Sequence, residues 1–161
     1  MRILGIDPGS HITGYAVIDV SGNTIRKVAM DVIKAGDGSL GQRLSTIYNR
    51  VQALIDEFKP EYAVMETSYW GKSAQSSIKV AEARGAIVAA VAGRNIPVAE
   101  ISPAEVKKGV TGRGQASKEQ VEFMVKRIAG IAGDIRPRDA SDALAISIAY
   151  SNRMTPGGAR R

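Results

Sequence analysis

The 161-residue chain contains no cysteine and only one histidine, His11. The absence of cysteine excludes disulfides, thiolate nucleophiles and cysteine metal sites, and one histidine cannot build a zinc site from several imidazoles. No apolar run approaches the roughly 18 residues that a membrane-spanning helix needs, and Asp7 comes too early for a signal peptide. We therefore expect no membrane partner, and any metal chemistry must use oxygen ligands.

Acidic residues are outnumbered: 22 Lys and Arg face 16 Asp and Glu, which gives a net charge of +6 and a pI near 9.7. The excess lies late in the chain, because residues 1–101 carry a net +1 and residues 102–161 a net +5. A basic surface suits a polyanionic partner such as nucleic acid. It also solubilises a protein, so charge alone leaves both interpretations open.

The length suits one domain, which we place at residues 1–153, followed by a flexible basic tail at 154–161. An early hairpin and a later alternation of helices and strands predict an α/β domain with a mixed central sheet flanked by helices. Hydrophobic periodicity and turn signals give the elements. The predicted strands are 2–7, 13–20, 24–33, 62–66 and 97–101, and the predicted helices are 40–58, 74–93, one from Ser102, 117–128 and 139–153.

Four acidic residues occupy positions that suit a shared metal site. Asp7 and Glu66 each end an apolar strand, and Asp139 and Asp142 share one face of a helix. If the two strands are neighbours, the four carboxylates form one cluster. Oxygen ligands of this kind select Mg²⁺ or Mn²⁺, and two such ions support phosphodiester hydrolysis.

Each acid also has a purely structural interpretation. Asp7 before Pro8 would stabilise a turn, and Glu66 would mark where a strand meets solvent. Asp139 would be a helix N-cap, with Asp142 interacting favourably with the helix dipole. Taken together on a basic α/β domain without cysteine, the four acids favour metal chemistry.

Several segments resemble the RuvC family of bacterial Holliday junction resolvases. The likeness runs from residue 2 to about residue 150 and is most specific in its last stretch. The segments are Gly5-Ile6-Asp7-Pro8-Gly9-Ser10, Thr13-Gly14-Tyr15, Glu66 with an aromatic residue three positions on, Lys79 to Gly85, Val106-Lys107-Lys108 with Lys118, and Asp139-Ala140-Ser141-Asp142-Ala143-Leu144-Ala145-Ile146.

This resemblance implies an RNase H-like fold and a cytoplasmic bacterial homodimer that cuts four-way junction DNA symmetrically. It implies Mg²⁺ as cofactor, with Mn²⁺ as substitute and two ions per site, and the branch-migration proteins RuvA and RuvB as partners. The matching positions make Asp7, Glu66, Asp139 and Asp142 the metal-binding catalytic acids. Lys107 and Lys118 match basic residues that lie near the scissile phosphate and stabilise its charge.

Further candidates for DNA contact are basic or aromatic. The chain reads Glu66-Thr67-Ser68-Tyr69-Trp70 where many relatives read Glu-Gln-Val-Phe. Tyr69 keeps the aromatic character, and Trp70 either stacks on an unpaired base at the junction centre or packs in the core or an interface. The DNA-binding candidates are Tyr69, Trp70, Lys72, Lys107, Lys108, Arg113 and Lys118.

Other assignments stay open from the sequence alone. A related RNase H-like nuclease acting on RNA has a similar opening, and a non-catalytic DNA-binding module would explain the charge but not four acids. The small-residue segment 81–93 suits either close helix packing across a dimer interface or ordinary packing against the sheet.

Overall fold

The computed structural model describes residues 1–67 and 73–154. Its centre is one five-stranded sheet in the order β3-β2-β1-β4-β5. The first three strands form an antiparallel meander, and β1, β4 and β5 run parallel. The strands are β1 (Arg2–Asp7), β2 (Ile12–Ser21), β3 (Thr24–Lys34), β4 (Tyr62–Glu66) and β5 (Val98–Ile101). The predicted mixed α/β sheet is confirmed.

Five helices cover the sheet within the described ranges. Three of them begin with a capping box, at Ser39, Ser102 and Ser117. Each serine side chain accepts a hydrogen bond from the amide three residues on, and the side chain of that residue accepts one from the serine amide. The helices are α1 (Leu40–Phe58), α2 (Ala74–Ala92), α3 (Pro103–Thr111), α4 (Lys118–Ala129) and α5 (Arg138–Met154). Since α5 begins at Arg138, Asp139 lies in its first turn and is not the N-cap.

The two faces of the sheet have separate hydrophobic cores, as strand alternation requires. Ile3, Ile18 and Val64 point towards α5 and pack in one core. Leu4 and Ile6 point the other way and pack with α1 and α2. Asp7 lies four positions after Ile3 and Glu66 lies two positions after Val64, so by the same alternation each acid shares the face of that residue, and both acids face α5.

Helix α5 lies almost in backbone contact with the β1–β2 hairpin. A Cβ at Gly14 would stand 2.0 Å from the carbonyl oxygen of Asp139, and one at Gly5 would stand 2.4 Å from that of Ala143. Gly5 pairs with Ala16 and Asp7 pairs with Gly14, so a patch of small residues receives the helix. This close approach places the first turns of α5 over the end of β1.

In residues 1–67 and 73–154, no helix is long and apolar enough to cross a membrane. Residues 155–161 lie outside the described ranges, so the domain limit and the basic tail remain predictions.

Replacing Gly14 with alanine tests the contact between α5 and the hairpin. The added methyl group would collide with the backbone of Asp139, and overpacking of this kind costs about 1–3 kcal/mol. We expect Gly14→Ala to lower the free energy of unfolding by that amount in urea denaturation. Gly41→Ala is the matched control, because a methyl group there enters open space; equal stability of the two variants would contradict the contact.

Candidate active site

Asp7 and Glu66 end two neighbouring strands. Strands β1 and β4 are paired in parallel, with Ile6 opposite Met65, so the next residue of each strand is one of the two acids. Parallel neighbours end at the same sheet edge, and both side chains face α5. The chain turns sharply after Asp7, where the buried Thr13 hydroxyl donates to the carbonyl of Gly9.

Asp139 and Asp142 reach the same edge from α5. They are three residues apart in its first two turns and therefore project from one helical face. The contact of Asp139 with Gly14 holds this end of the helix beside the residue paired with Asp7. The structure thus brings the four acids predicted from the sequence to one end of the sheet.

Asp7 has the most perturbed environment of these carboxyl groups. Burial raises its pKa to about 7, and the negative charges of Asp142, Asp139 and Glu66 act in the same direction, against a smaller opposing effect of Lys118. A carboxyl group that is both desolvated and surrounded by like charges favours its protonated form. Positive charge supplied at this point would return Asp7 to its anionic form.

Two lysines from different helices reach the cluster. Burial and the charge of Asp142 raise the pKa of Glu66, whereas Lys118 and Lys107 lower it. Lys118 begins α4, and its Nζ lies 3.1 Å from Oδ2 of Asp142. Lys107 lies on α3 and is half-buried. Both predicted lysines therefore stand within electrostatic reach of the acids.

The donor set of this cluster suits a hard divalent cation. It consists of carboxylate oxygens, and the repulsion acting on Asp7 is relieved by added positive charge. The side chains as placed do not form a closed cage: within residues 1–67 and 73–154, no three of the His, Asp and Glu residues are positioned to hold an ion together. Part of the compensating charge comes instead from Lys118.

The remaining DNA-binding candidates are divided. Lys108 is exposed on α3, beside Lys107 in sequence, and Arg113 is exposed in the turn that follows, where its amide donates to the hydroxyl of Thr111. Tyr69, Trp70 and Lys72 lie outside the described residues.

Arg84 supports this end of the sheet, although nothing in its local sequence marks it as a site residue. Its Nη1 donates to the main-chain carbonyl of Glu66 at 2.7 Å, and its Nη2 lies 2.6 Å from Oε1 of Glu100 on β5. Pro8 gives part of the signal. It directly follows the strand that ends at Asp7, and a proline has no amide hydrogen to donate to the neighbouring strand.

A family model described as crossover junction endodeoxyribonuclease RuvC matches residues 3–150. The chain belongs to the RuvC family. RuvC proteins named crossover junction endodeoxyribonuclease from Paraburkholderia phytofirmans and Burkholderia mallei are 40% and 42% identical over 96% and 94% of this chain, and 86% and 84% of their own. The structure of Thermus thermophilus RuvC in complex with Holliday junction substrate matches with a TM-score of 0.90 at 31% identity, over 96% of this chain and 97% of that one.

RuvC membership confirms the RNase H-like fold predicted from the sequence. It also makes the chain a junction-resolving endonuclease of DNA recombination and repair. Nucleases of the RuvC family are metal-dependent in general.

The raised pKa of Asp7 predicts a pH-dependent penalty on folding in metal-free buffer. Because the folded-state pKa is about 7 and the unfolded one is near 3.8, the contribution of protonated Asp7 to stability is fully present below pH 3.8 and is lost as the pH rises from there to about 7. Asp7→Asn removes the penalty, so it should be more stable than wild type at pH 8 by at least about 1 kcal/mol.

Urea denaturation at pH 8 and at pH 4, with EDTA present, measures this difference. The advantage of Asp7→Asn over wild type should shrink at pH 4, where Asp7 is protonated in the folded protein. An advantage that is equal at both pH values would contradict the raised pKa.

Proposed function

We propose that Asp7, Glu66, Asp139 and Asp142 are the catalytic acids of this nuclease and hold Mg²⁺, with Mn²⁺ as a substitute and two ions per site. The observation that carries the proposal is the Asp7 carboxyl group, whose pKa is raised first by burial and further by three neighbouring carboxylates. A substrate phosphate would add still more negative charge. Divalent ions would remove the repulsion between this cluster and its substrate, because they neutralise the acids and attract the phosphodiester.

Divalent ions held by Asp7, Glu66, Asp139 and Asp142 would activate the attacking water and would stabilise the leaving oxygen. The protein holds the acids on two adjacent strand ends and one helix, so their directions are set before the substrate arrives. Lys107 and Lys118 act on charge. Both lie near Glu66, and we assign them to binding the scissile phosphate and to stabilising the charge that develops on it.

Four-way junction DNA is the proposed substrate of this site. The net charge of +6 gives the protein an attractive field for a polyanion. Lys108 and Arg113 are exposed on and after α3, which also carries Lys107, and we assign them to phosphate contacts beside the cut. Tyr69, Trp70 and Lys72 keep the DNA-binding roles expected from the sequence, and packing in the core or an interface stays the alternative for Trp70.

The proposed assembly is a homodimer, since a junction with two equivalent strands is matched by two sites related by a two-fold axis. Helix α2 offers a surface for it. Ala83 and Ile87 pack inward against the sheet, so part of the small-residue segment does pack ordinarily. The opposite face is exposed and apolar and comprises Ile78, Ala81, Gly85, Ala89 and Ala92.

We assign the protein to the bacterial cytoplasm, where DNA recombination takes place, and to cooperation with RuvA and RuvB. Both assignments rest on the family resemblance alone.

Asp7→Asn tests the metal-dependent mechanism. Removing one carboxylate should slow junction cleavage by at least roughly 100-fold, since even outer-shell changes at metal sites cost 10–100-fold. Junction affinity should be retained or improved, because a negative charge facing phosphates is lost. The measurements are nicking of a synthetic four-way junction with Mg²⁺, and gel-shift binding in EDTA.

Asp37→Asn is the matched control, because Asp37 is an exposed loop residue and its loss should leave cleavage unchanged. A linear duplex of the same sequence should remain uncut by the wild-type protein. Cleavage that persists in EDTA, or in Asp7→Asn at the wild-type rate, would contradict the mechanism.

Ala89→Glu tests the dimer surface. In the dimer, the glutamate would be buried without a partner at the centre of this apolar face. It should abolish association, because desolvating its charge costs several kcal/mol. Sedimentation velocity should report a dimer for wild type and a monomer for the variant. Ala53→Glu on the exposed face of α1 is the matched control, and a dimer that survives Ala89→Glu would exclude this face.

A further inference from the structure

In the part of the chain that the structure describes, the main-chain carbonyl of Glu66 accepts no hydrogen bond from a neighbouring strand of the sheet. The amide of Thr67 donates to Ile101 on β5, and the amide of Ala63 donates to Pro97 on the same side. Strand residues alternate in the direction of their backbone groups, so the carbonyl of Glu66 points to the other side, towards β1. There it needs a donor from the neighbouring strand.

Strand β1 cannot provide that donor. The pairing of β1 with β4 ends at Ile6 opposite Met65, and in a parallel ladder the next amide to reach Glu66 would be that of residue 8. Residue 8 is proline, which has no amide hydrogen. A carbonyl left without a partner at this depth costs free energy and is free to tilt.

Arg84 fills the gap from α2. Its Nη1 donates to the carbonyl oxygen of Glu66 at 2.7 Å, and its Nη2 forms an ion pair with Glu100 at 2.6 Å. The arginine side chain is only 14% exposed. A planar guanidinium whose two nitrogens have fixed acceptors is held in one orientation, so it fixes the peptide plane of Glu66 relative to β5.

We propose that Arg84 is a positioning residue for Glu66. The inference rests on the proposed function, in which the Glu66 carboxylate is a metal ligand. The carboxylate direction depends on the backbone that carries it, and partners of this outer shell tune metal sites as strongly as 10–100-fold. Arg84 acts through the Glu66 backbone and does not itself touch the substrate.

The test compares Arg84→Met with Arg94→Met. Arg94 lies two residues after the end of α2. It forms an exposed ion pair with Asp56 on α1. Two quantities are measured: the affinity of the metal-free protein for Mn²⁺ alone, by calorimetry, and the single-turnover rate constant for cutting a four-way junction. Junction affinity in EDTA and the unfolding midpoint are recorded for both variants.

Arg84→Met should weaken Mn²⁺ binding and lower the rate constant, each by about 10–100-fold, while junction affinity in EDTA stays at the wild-type value. Arg94→Met should match wild type in all of these. A purely structural role for Arg84 would reduce the amplitude of the single-turnover reaction and leave its rate constant unchanged; that result overturns the inference, as does wild-type Mn²⁺ affinity.

Glu100→Ala keeps the test decisive if Arg84→Met does not fold. Glu100 is 56% exposed, and its loss frees one end of the guanidinium while the bond to Glu66 remains available. A smaller loss of Mn²⁺ affinity and rate is expected, and wild-type values overturn the inference.

Glu66→Gln separates the two proposals. If it loses Mn²⁺ affinity and cleavage while the Arg84 variants keep both, the positioning role alone is wrong. If Glu66→Gln itself behaves as wild type, the proposed function and the positioning role are both overturned.

Discussion

The site depends on one packing contact, the near meeting of two backbones where α5 crosses the β1–β2 hairpin. Gly14 and Gly5 leave no room for a methyl group beneath the carbonyls of Asp139 and Ala143. Four acids on three elements can share a volume only if those elements approach this closely. Larger side chains at either glycine would separate the pair on α5 from Asp7 and Glu66, whatever the quality of the hydrophobic core.

That contact concentrates negative charge in a protein that is otherwise positive. The net charge of +6 attracts a polyanion, yet the end of the sheet that carries the acids would repel a phosphate. The two properties are compatible if cations intervene at the acids and lysines surround them. Lys118, already beside Asp142, shows how the protein reduces this repulsion with its own side chains.

Sequence patterns were sufficient for the local structure and insufficient for its assembly. Helix α1 was predicted at its observed limits, because a regular apolar stripe begins after Ser39 and Pro60 follows it. The adjacency of Asp7 and Glu66 could be stated only as a condition, since strand order follows from tertiary packing and leaves no local signal.

The support given by Arg84 was harder still to foresee. Its two partners, the carbonyl of Glu66 and the carboxylate of Glu100, lie on different strands. The ion pair between Lys118 and Asp142 likewise joins residues 24 positions apart in the chain. Such contacts depend on the relative placement of whole helices, which hydrophobic periodicity does not encode.

Pro8 connects the local and the global parts of this architecture. A proline directly after Asp7 ends the strand pairing at Ile6 and Met65, so the chain can turn away and leave both acids at an open sheet edge. The same residue deprives the Glu66 carbonyl of its donor, and the deficit is met from α2 by Arg84. The end of the β1–β4 pairing and the hydrogen bond from Arg84 to Glu66 are therefore both consequences of the proline. If position 8 had an amide hydrogen, the ladder could continue past Asp7, and the guanidinium would have no carbonyl to hold.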